Sequence, residues 1–313
     1  MLPAFDELKD AVKRVSPHVH NTPVLESRTI NERTGSTVFF KCENFQRMGA
    51  FKMRGATNAI LQLGKAERAH GVVTHSSGNF AQALALAAKS LDTKAYIVMP
   101  SNAPKVKMEA VKGYGAEIIE CDPSLEAREK SCKQVQAKTN AAFIHPSNDM
   151  NVILGQGTAA YEFIREVKDL DYIVTPVGGG GLVAGTAIAV HYLLPESETL
   201  GSEPFGADDA YLSLKIGKIQ PSVNPKTIAD GLKTQLGDVN FPIIRKYVSN
   251  IIRVEESEII AAMRYVWERM KIVIEPSSAV AVAALFRKRE RFLKKNVGII
   301  LTGGNVDLSD LPF

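Results

Sequence analysis

The sequence predicts an α/β fold with largely parallel sheets. Short runs rich in β-branched residues alternate with helix-like stretches along nearly the whole chain, which is the pattern typical of βαβ units. Apolar residues make up 45% of the 313 residues, so a sizeable core can form. No apolar run approaches the ~18 residues of a membrane span, so we expect a globular protein without membrane contact.

The predicted strands are short runs that are apolar or β-branched. They cover residues 37–42, 72–74, 94–99, 117–121, 142–144, 172–177, 251–254 and 297–301. The stretches between them have the composition and periodicity of helices. They cover residues 55–63, 79–90, 104–113, 124–139, 155–166, 182–193, 257–271 and 277–288. A smaller lobe inserted at about residues 70–148 fits this order, although composition draws no boundary there.

The charge pattern argues against a polyanionic partner. The net charge is +4 and the charged residues are dispersed, so neither nucleic acid nor a membrane surface is an expected partner. Cys42, Cys121 and Cys132 are too widely spaced for a disulfide framework or a zinc site. Because the first ten residues are acidic and lack the apolar core of a signal peptide, we expect a cytoplasmic protein in a reducing compartment.

Consecutive glycines at residues 178–181 follow the predicted strand 172–177 and precede the predicted helix 182–193. Backbone N–H groups at a helix N-terminus, free of Cβ atoms, suit a bound phosphate. No Gly-Lys-Ser/Thr follows, so this is not a Walker loop. The next acid, Glu196, follows a proline and does not fit the ribose-binding position of a dinucleotide site. A flexible turn is the alternative interpretation, although one or two glycines would satisfy a turn.

Two further segments indicate a binding or catalytic site only when they are considered together. Lys52 lies in an apolar stretch at a helix start, where desolvation can lower the pKa of a lysine and make it a nucleophile. Alone, it would more commonly be a surface lysine. The polar turn at 76–79 follows the predicted strand 72–74. It could cap the next helix or present donors to an anion.

Together these segments resemble the fold-type II pyridoxal 5′-phosphate (PLP) enzymes, and more narrowly the serine racemase and serine/threonine dehydratase family. The motifs that carry the resemblance are Ala-Phe-Lys-x-Arg-Gly at 50–55, Ser-Ser-Gly-Asn at 76–79, the glycines at 178–181 and Thr-Gly-Gly-Asn at 302–305. Further similar stretches are 155–158, 227–231, 267–271 and 274–276. The resemblance covers nearly the whole chain, from Thr22 to Asp307.

The resemblance implies two open, twisted, mostly parallel sheets flanked by helices. It divides the chain into a large PLP-binding domain, residues 1–69 and 149–313, and a small domain, residues 70–148, that closes over the substrate. It also implies a small amino acid as the substrate and a homodimer as the assembly.

The resemblance assigns roles to individual residues. It implies that Lys52 carries PLP and that Thr302 bonds the pyridine nitrogen. The other cofactor contacts that it implies are Phe51, Asn79, Gly178, Gly179, Gly180, Gly181, Leu182 and Gly231. The substrate contacts that it implies are Ser76, Ser77, Asn79, Phe80, Arg128, Ser147 and Asp230.

The resemblance implies interconversion of L- and D-serine, with accompanying β-elimination of serine to pyruvate and ammonia. Racemisation needs an acid or base on each face of Cα. Lys52 can serve one face, and the resemblance implies Ser77 for the other. A hydroxyl at residue 302, in place of a carboxylate, leaves the pyridine largely neutral and favours elimination alongside proton exchange.

The segment 203–209 follows a short strand-like run and resembles the divalent-cation loop of the same family. The implied ligands are the Glu203 carboxylate, the Ala207 carbonyl, the Asp209 carboxylate and waters. Oxygen ligands suit Mg²⁺, with Ca²⁺ and Mn²⁺ as alternatives. By spacing alone, an acidic turn with a proline is the favoured interpretation, and only the resemblance favours a metal site.

Several positions depart from the pattern of animal members of the family. Phe80 replaces a histidine and Ser147 replaces an asparagine, so the substrate side chain stays open. Residues 28–29 and 46–48 differ from the nucleotide-contacting pattern, which leaves ATP activation open. The alternatives are an ammonia-lyase for L-serine, L-threonine or threo-3-hydroxyaspartate with little racemisation, and an aspartate racemase. Alternatives of other classes are a nicotinamide-dependent oxidoreductase that uses the glycine loop and a cofactor-binding regulatory module.

Overall fold

The computed structural model describes residues 3–103 and 105–313. Its strands are β1 (Val24–Glu26), β2 (Thr37–Cys42), β3 (Val72–His75), β4 (Ala95–Pro100), β5 (Glu117–Cys121), β6 (Ala142–Phe143), β7 (Tyr172–Pro176), β8 (Glu198–Pro204), β9 (Val248–Val254) and β10 (Asn296–Leu301). Its α-helices are α1 (Phe5–Val15), α2 (Arg28–Thr34), α3 (Lys52–Gln62), α4 (Lys65–His70), α5 (Asn79–Ser90), α6 (Lys105–Gly113), α7 (Leu125–Thr139), α8 (Met150–Glu166), α9 (Gly181–Leu193), α10 (Asp209–Ile216), α11 (Phe241–Tyr247), α12 (Glu256–Met270), α13 (Pro276–Arg287) and α14 (Arg289–Phe292). None of the helices in the described ranges is both long and apolar enough to cross a bilayer.

The larger sheet has six strands in the order β1-β2-β10-β7-β8-β9. The edge strand β1 is antiparallel to β2, and the other neighbouring pairs are parallel. Parallel strands are covered by helices on both faces, so they read as near-continuous apolar runs. In β10, Val297, Ile299 and Leu301 pack with α12 and α13, whereas Ile300 packs with α8 and α9 on the opposite face. The sheet is therefore the central layer of a three-layer core.

The second sheet has four parallel strands in the order β5-β4-β3-β6 and lies within residues 72–143. Its central strands β3 and β4 are buried at every position, and the alanine-rich helix α5 packs in the core beside them. Two open, mostly parallel sheets flanked by helices confirm the predicted fold class. The predicted domain boundaries near residues 70 and 148 stay a prediction.

Helix α3 begins at Lys52, whereas the sequence predicted a start at residue 55. Just before it, Ala50 pairs with Gly303, and the Phe51 N–H donates to the Thr302 carbonyl at 3.0 Å. These contacts fix an extended backbone at Ala50, so the helix can begin immediately afterwards. Gly55 therefore lies inside the helix, where a Cβ would lie 2.4 Å from Nε2 of Gln156. This glycine serves close packing and does not mark a boundary.

The structure contains several elements that were not among the predicted strands and helices. The most central is β8, whose sequence Glu-Thr-Leu-Gly-Ser-Glu-Pro carries two acids and a glycine. Its residues 199–204 are nevertheless buried, because it lies between β7 and β9 and its backbone pairs with both neighbours, while Oγ of Ser202 donates to the Thr175 carbonyl at 3.2 Å. The other additions are peripheral or short: β1, α1, α2, α4, α10, α11 and α14.

Candidate active site

Lys52 is the first residue of α3, and its amine is buried. Its Nζ donates to the carbonyl of Pro146 at 3.1 Å. The amine also lies 5.0 Å from the ring centroid of Phe51 and 5.7 Å from that of Phe80. Burial lowers the pKa of Lys52 to about 8, although attraction by the Glu275 carboxylate opposes this effect. A lysine in this state has a substantial neutral, nucleophilic fraction near physiological pH.

This lowered pKa has a testable consequence in the cofactor-free protein. Lys52 should be protonated and unreactive well below pH 8 and should become reactive as the pH rises through about 8, not 10.5. We expect acylation of Lys52, followed by peptide mass spectrometry, to show a midpoint near pH 8. The exposed Lys65, labelled in the same sample, is the internal control. A midpoint for Lys52 near 10.5 would mean that its amine is solvated.

The predicted glycine loop lies between β7 and α9, with Gly181 as the first residue of the helix. Gly180 has a φ of 82°, a conformation that favours glycine. Neighbouring groups leave no room for side chains on this loop. A Cβ on Gly178 would lie 2.8 Å from the Gly231 carbonyl, and one on Gly179 would lie 2.2 Å from Oγ of Ser147. The loop therefore brings a backbone without side chains to the N-terminus of a thirteen-residue helix, which suits an anion.

Asn79, the first residue of α5, belongs to a hydrogen-bonded group of three side chains. Its Nδ2 donates to both carboxylate oxygens of Glu275, at 2.9 and 3.1 Å. Its Oδ1 accepts from Nδ2 of Asn305 at 2.9 Å. Burial raises the pKa of Glu275 to about 7, against the stabilising bond from Asn79. No role was predicted for Glu275, because its only signal was a place in the motif at 274–276, and its partner Asn79 is 196 positions away in the sequence.

The remaining predicted cofactor residues lie around the same region. Phe51 is joined to Thr302 through their backbones, so the Lys52 segment and the C-terminal glycine motif are adjacent. Gly231 donates its N–H to Oγ of Ser277 at 3.0 Å, and its carbonyl packs against the glycine loop. Leu182 is buried in the core of the larger sheet. The structure thus brings together the predicted cofactor residues from five separate segments of the chain.

The predicted substrate residues are more dispersed. Ser76 and Ser77 lie, partly buried, in the turn between β3 and α5, where Oγ of Ser76 accepts from the Gly78 N–H at 3.3 Å. Asp230 forms a salt bridge with Lys107. Arg128 lies on α7, and its Nε donates to the Ser124 carbonyl of the same helix. Within the residues that the structure describes, no hydrogen bond or ion pair joins Arg128 to the region around Lys52, so its substrate role stays a prediction.

The predicted cation loop joins the end of β8 to α10. Glu203 is fully buried, and its carboxylate accepts from the N–H groups of Ala210 and Tyr211, at 3.2 and 2.8 Å. Asp209 is also buried, and neither of its carboxylate oxygens has a hydrogen-bond partner among the described residues. Burial raises the pKa of Glu203 well above its usual range and that of Asp209 to about 6.

Glu203 and Asp209 form no salt bridge with any residue that the structure describes, and two such buried carboxylates fit the donor set of a hard divalent ion. Glu203 and Asp209 would supply two oxygens, and the buried Ala207, from the 3-10 turn Phe205–Ala207, would supply its carbonyl. The described residues contain no group of three His, Cys, Asp or Glu side chains that could hold a metal. Any ion here would therefore need backbone and water oxygens to complete its coordination.

A family model described as "Pyridoxal-phosphate dependent enzyme" matches residues 15–303, which include Lys52, the glycine loop and Thr302. The chain belongs to this family. The enzyme is 50% identical to the serine racemase of Dictyostelium discoideum over 309 residues, which cover 97% of this chain and 95% of the relative. It is 46% identical to the beta-hydroxyaspartate dehydratase of Paracoccus denitrificans, over 100% of this chain and 99% of the relative.

A solved structure supports the same conclusion. The crystal structure of the Dictyostelium discoideum serine racemase matches this enzyme with a TM-score of 0.95 and 49% identity, covering 98% of this chain and 100% of that chain. These comparisons confirm the family resemblance and the assignment of the chain as an enzyme. The residues present also fit the cofactor, because an enclosed amine of lowered pKa lies in the same site as a glycine loop too crowded for side chains.

Proposed function

We propose that the enzyme interconverts L- and D-serine and also eliminates water from serine, releasing pyruvate and ammonia. The observation that carries the proposal is the enclosed amine of Lys52, with its lowered pKa, in the same site as a phosphate-compatible glycine loop. Identity of 50% to a relative named serine racemase supports serine as the substrate.

Residues of four segments would hold the cofactor. Residues 178–181 would bind its phosphate, because backbone N–H groups and the dipole of α9 favour an anion. Thr302 would bond the ring nitrogen, and Phe51 and Asn79 would flank the ring. When bound, pyridoxal phosphate withdraws electrons from the Cα of an amino acid and makes the Cα proton acidic. Nζ of Lys52 would accept that proton, because its pKa near 8 suits a general base.

We assign Ser77 as the second proton carrier that racemisation requires. Its hydroxyl is partly buried in the turn that also presents Asn79, at the start of α5. Protonation by Oγ of Ser77 would complete inversion at Cα, whereas departure of the β-hydroxyl would lead to pyruvate. The Thr302 hydroxyl, which carries no charge, favours a neutral ring nitrogen and so keeps elimination competitive with proton return.

Replacing Ser77 by alanine should separate the two products. D-serine formation should fall by about 10²-fold or more, since a positioned acid or base contributes 10²–10⁴-fold. Pyruvate formation should fall by less than about tenfold, because Lys52 alone can start elimination. Chiral chromatography after incubation with PLP, Mg²⁺ and L-serine measures both products together. Ser90→Ala, at the exposed end of the same helix α5, is the control and should behave as the wild type.

Two outcomes would contradict this assignment. Equal losses of D-serine and pyruvate in Ser77→Ala would make Ser77 a general site residue and not a proton carrier. Pyruvate without D-serine from the wild type would make the enzyme an ammonia-lyase.

A second candidate is an ammonia-lyase for threo-3-hydroxyaspartate. The observation in its favour is Lys107, whose ammonium pairs with Asp230 and also acts on the Glu275 carboxyl at the same site. This ammonium could pair with a β-carboxylate. The relative named beta-hydroxyaspartate dehydratase supports the same idea. A kcat/KM for hydroxyaspartate that exceeds the value for L-serine and collapses in Lys107→Ala would favour this candidate.

We propose that Glu203, Ala207 and Asp209 bind Mg²⁺, with Ca²⁺ or Mn²⁺ as alternatives. An ion that binds only the folded state raises Tm, by about 2–4 °C per kcal/mol of binding energy for a chain of a few hundred residues. Adding MgCl2 to the chelator-treated protein should therefore raise Tm in the wild type and in Asp122→Asn, but not in Asp209→Asn. An equal Mg²⁺ shift in Asp209→Asn would place the ion elsewhere.

We further propose that the enzyme is a homodimer in the cytoplasm and that residues 70–148 close over the substrate. The free cysteines Cys42, Cys121 and Cys132 support a reducing compartment. Sedimentation of the purified protein tests the dimer directly.

A further inference from the structure

The polar turn of residues 145–148 follows β6 and is held by the ring of its first residue. Nδ1 of His145 lies 3.2 Å from the backbone nitrogen of Ser147 and 2.8 Å from that of Asn148. Both backbone N–H groups donate, so Nδ1 is the unprotonated nitrogen of the ring. The His145 imidazole in this arrangement is neutral, with its proton on Nε2.

The 145–148 turn contacts both parts of the proposed cofactor site. The carbonyl of Pro146 accepts the hydrogen bond from Nζ of Lys52 at 3.1 Å. The carbonyl of Ser147 accepts from Nδ2 of Asn240 at 3.1 Å, and the same amide donates to the Gly179 carbonyl at 2.8 Å. The turn therefore links the lysine that would carry the cofactor to the glycine loop that would bind its phosphate.

The surroundings of His145 favour its neutral form. The ring lies 5.8 Å from that of His75 on β3 and 6.2 Å from that of Phe143 on β6. Burial makes the largest contribution to lowering the pKa of His145, to about 4, and electrostatic repulsion by His75 and Lys52 adds to it. Attraction by the Asp238 carboxylate opposes this shift. The acceptor at Nδ1 is therefore available throughout the neutral pH range.

We propose that His145 is a positioning residue, whose Nδ1 fixes the 145–148 turn and thereby aligns the Lys52 amine with the phosphate-binding glycines. This role rests on the proposed assignment of Lys52 and residues 178–181 to the cofactor. His145 acts through backbone groups and need not touch substrate or cofactor. What the turn requires is an acceptor at the Nδ1 position, and the Oδ1 atom of an asparagine can occupy that position. If His145 served only for packing, its site would instead require the aromatic ring and not the acceptor.

The two variants His145→Asn and His145→Phe separate these possibilities. Asparagine keeps the acceptor and loses the ring, whereas phenylalanine keeps the ring and loses the acceptor. Hydrogen exchange of the peptide spanning residues 144–149, measured without cofactor, reports on the turn directly. Spectrophotometric titration with PLP then gives the Kd of the cofactor.

Leaving two partly buried N–H donors unsatisfied costs enough to change an equilibrium by about tenfold. In His145→Phe we expect tenfold faster exchange in this peptide and a Kd for PLP raised at least tenfold, with Tm lowered by only a few degrees. In His145→Asn both values should stay within about threefold of the wild type. Wild-type exchange and Kd in His145→Phe, or equal impairment in both variants, would overturn the proposal. A wild-type protein that fails to bind PLP would instead overturn the proposed function, while the exchange data would still test the turn.

Discussion

Replacing Lys52 by alanine should lower both D-serine and pyruvate formation by about 10³-fold or more. In the proposed mechanism this amine both holds the cofactor and moves the Cα proton, so its loss removes two contributions at once, and proton transfer alone accounts for 10²–10⁴-fold. We expect no other lysine to substitute, because the described groups around the buried amine of Lys52 are the rings of Phe51 and Phe80, the Pro146 carbonyl and the Glu275 carboxylate.

The measurement combines turnover with the visible spectrum of the purified protein. Wild-type enzyme should carry a visible band that persists through dialysis, and Lys52→Ala should lose it. Lys65→Ala, in the neighbouring helix α4, removes an exposed lysine and should leave both properties unchanged. Lys52→Ala with more than a tenth of the wild-type rate would show that another group removes the proton.

Replacing Arg54 by methionine should destabilise the fold by about 3–5 kcal/mol, the usual range for removing one partner of a buried ion pair. Both Arg54 and Glu43 have fully buried side chains, and they pair at 2.7 Å. The same guanidinium also pairs with Glu162 at 2.7 Å, and the buried Lys41 lies 3.2 Å from that carboxylate. Without Arg54, Glu43 would be left as an uncompensated buried charge.

Urea unfolding followed by circular dichroism measures this effect. The control is Arg28→Met, because Arg28 and Glu32 form an exposed pair whose removal should cost less than about 1 kcal/mol. Addition of Glu43→Gln to Arg54→Met should recover part of the stability, because the unpaired charge is then removed as well. A loss of less than about 1 kcal/mol in Arg54→Met would mean that water enters and solvates the remaining acids.

The alternation of strands and helices was readable from the sequence because buried parallel strands are apolar on both faces. This held for β10 and β7, whereas β8 was indicated only as a short strand-like run before residue 203, because its acids and glycine hide its central position. Helix α3 was predicted to begin too late, because its start depends on pairing between Ala50 and Gly303, residues that are far apart in the sequence.

The candidate site was predictable to the extent that each residue belonged to a local motif. Lys52, Asn79 and the glycines at 178–181 stand in such motifs, and the structure brings them together. The network around Arg54 was not predicted, because nothing in the local sequence shows that this arginine is buried. Glu275 and His145 were missed for a similar reason: their contacts become visible only when distant segments pack together.

The central claim is that the enzyme removes and returns the Cα proton of serine, and incubation with L-serine in D2O tests it most directly. Chiral separation followed by mass spectrometry measures deuterium at Cα in each recovered enantiomer. The account predicts D-serine with one deuterium at Cα, together with pyruvate, and neither product from Lys52→Ala. Recovery of L-serine alone, without deuterium and without pyruvate, would contradict the account and direct the search to another amino acid.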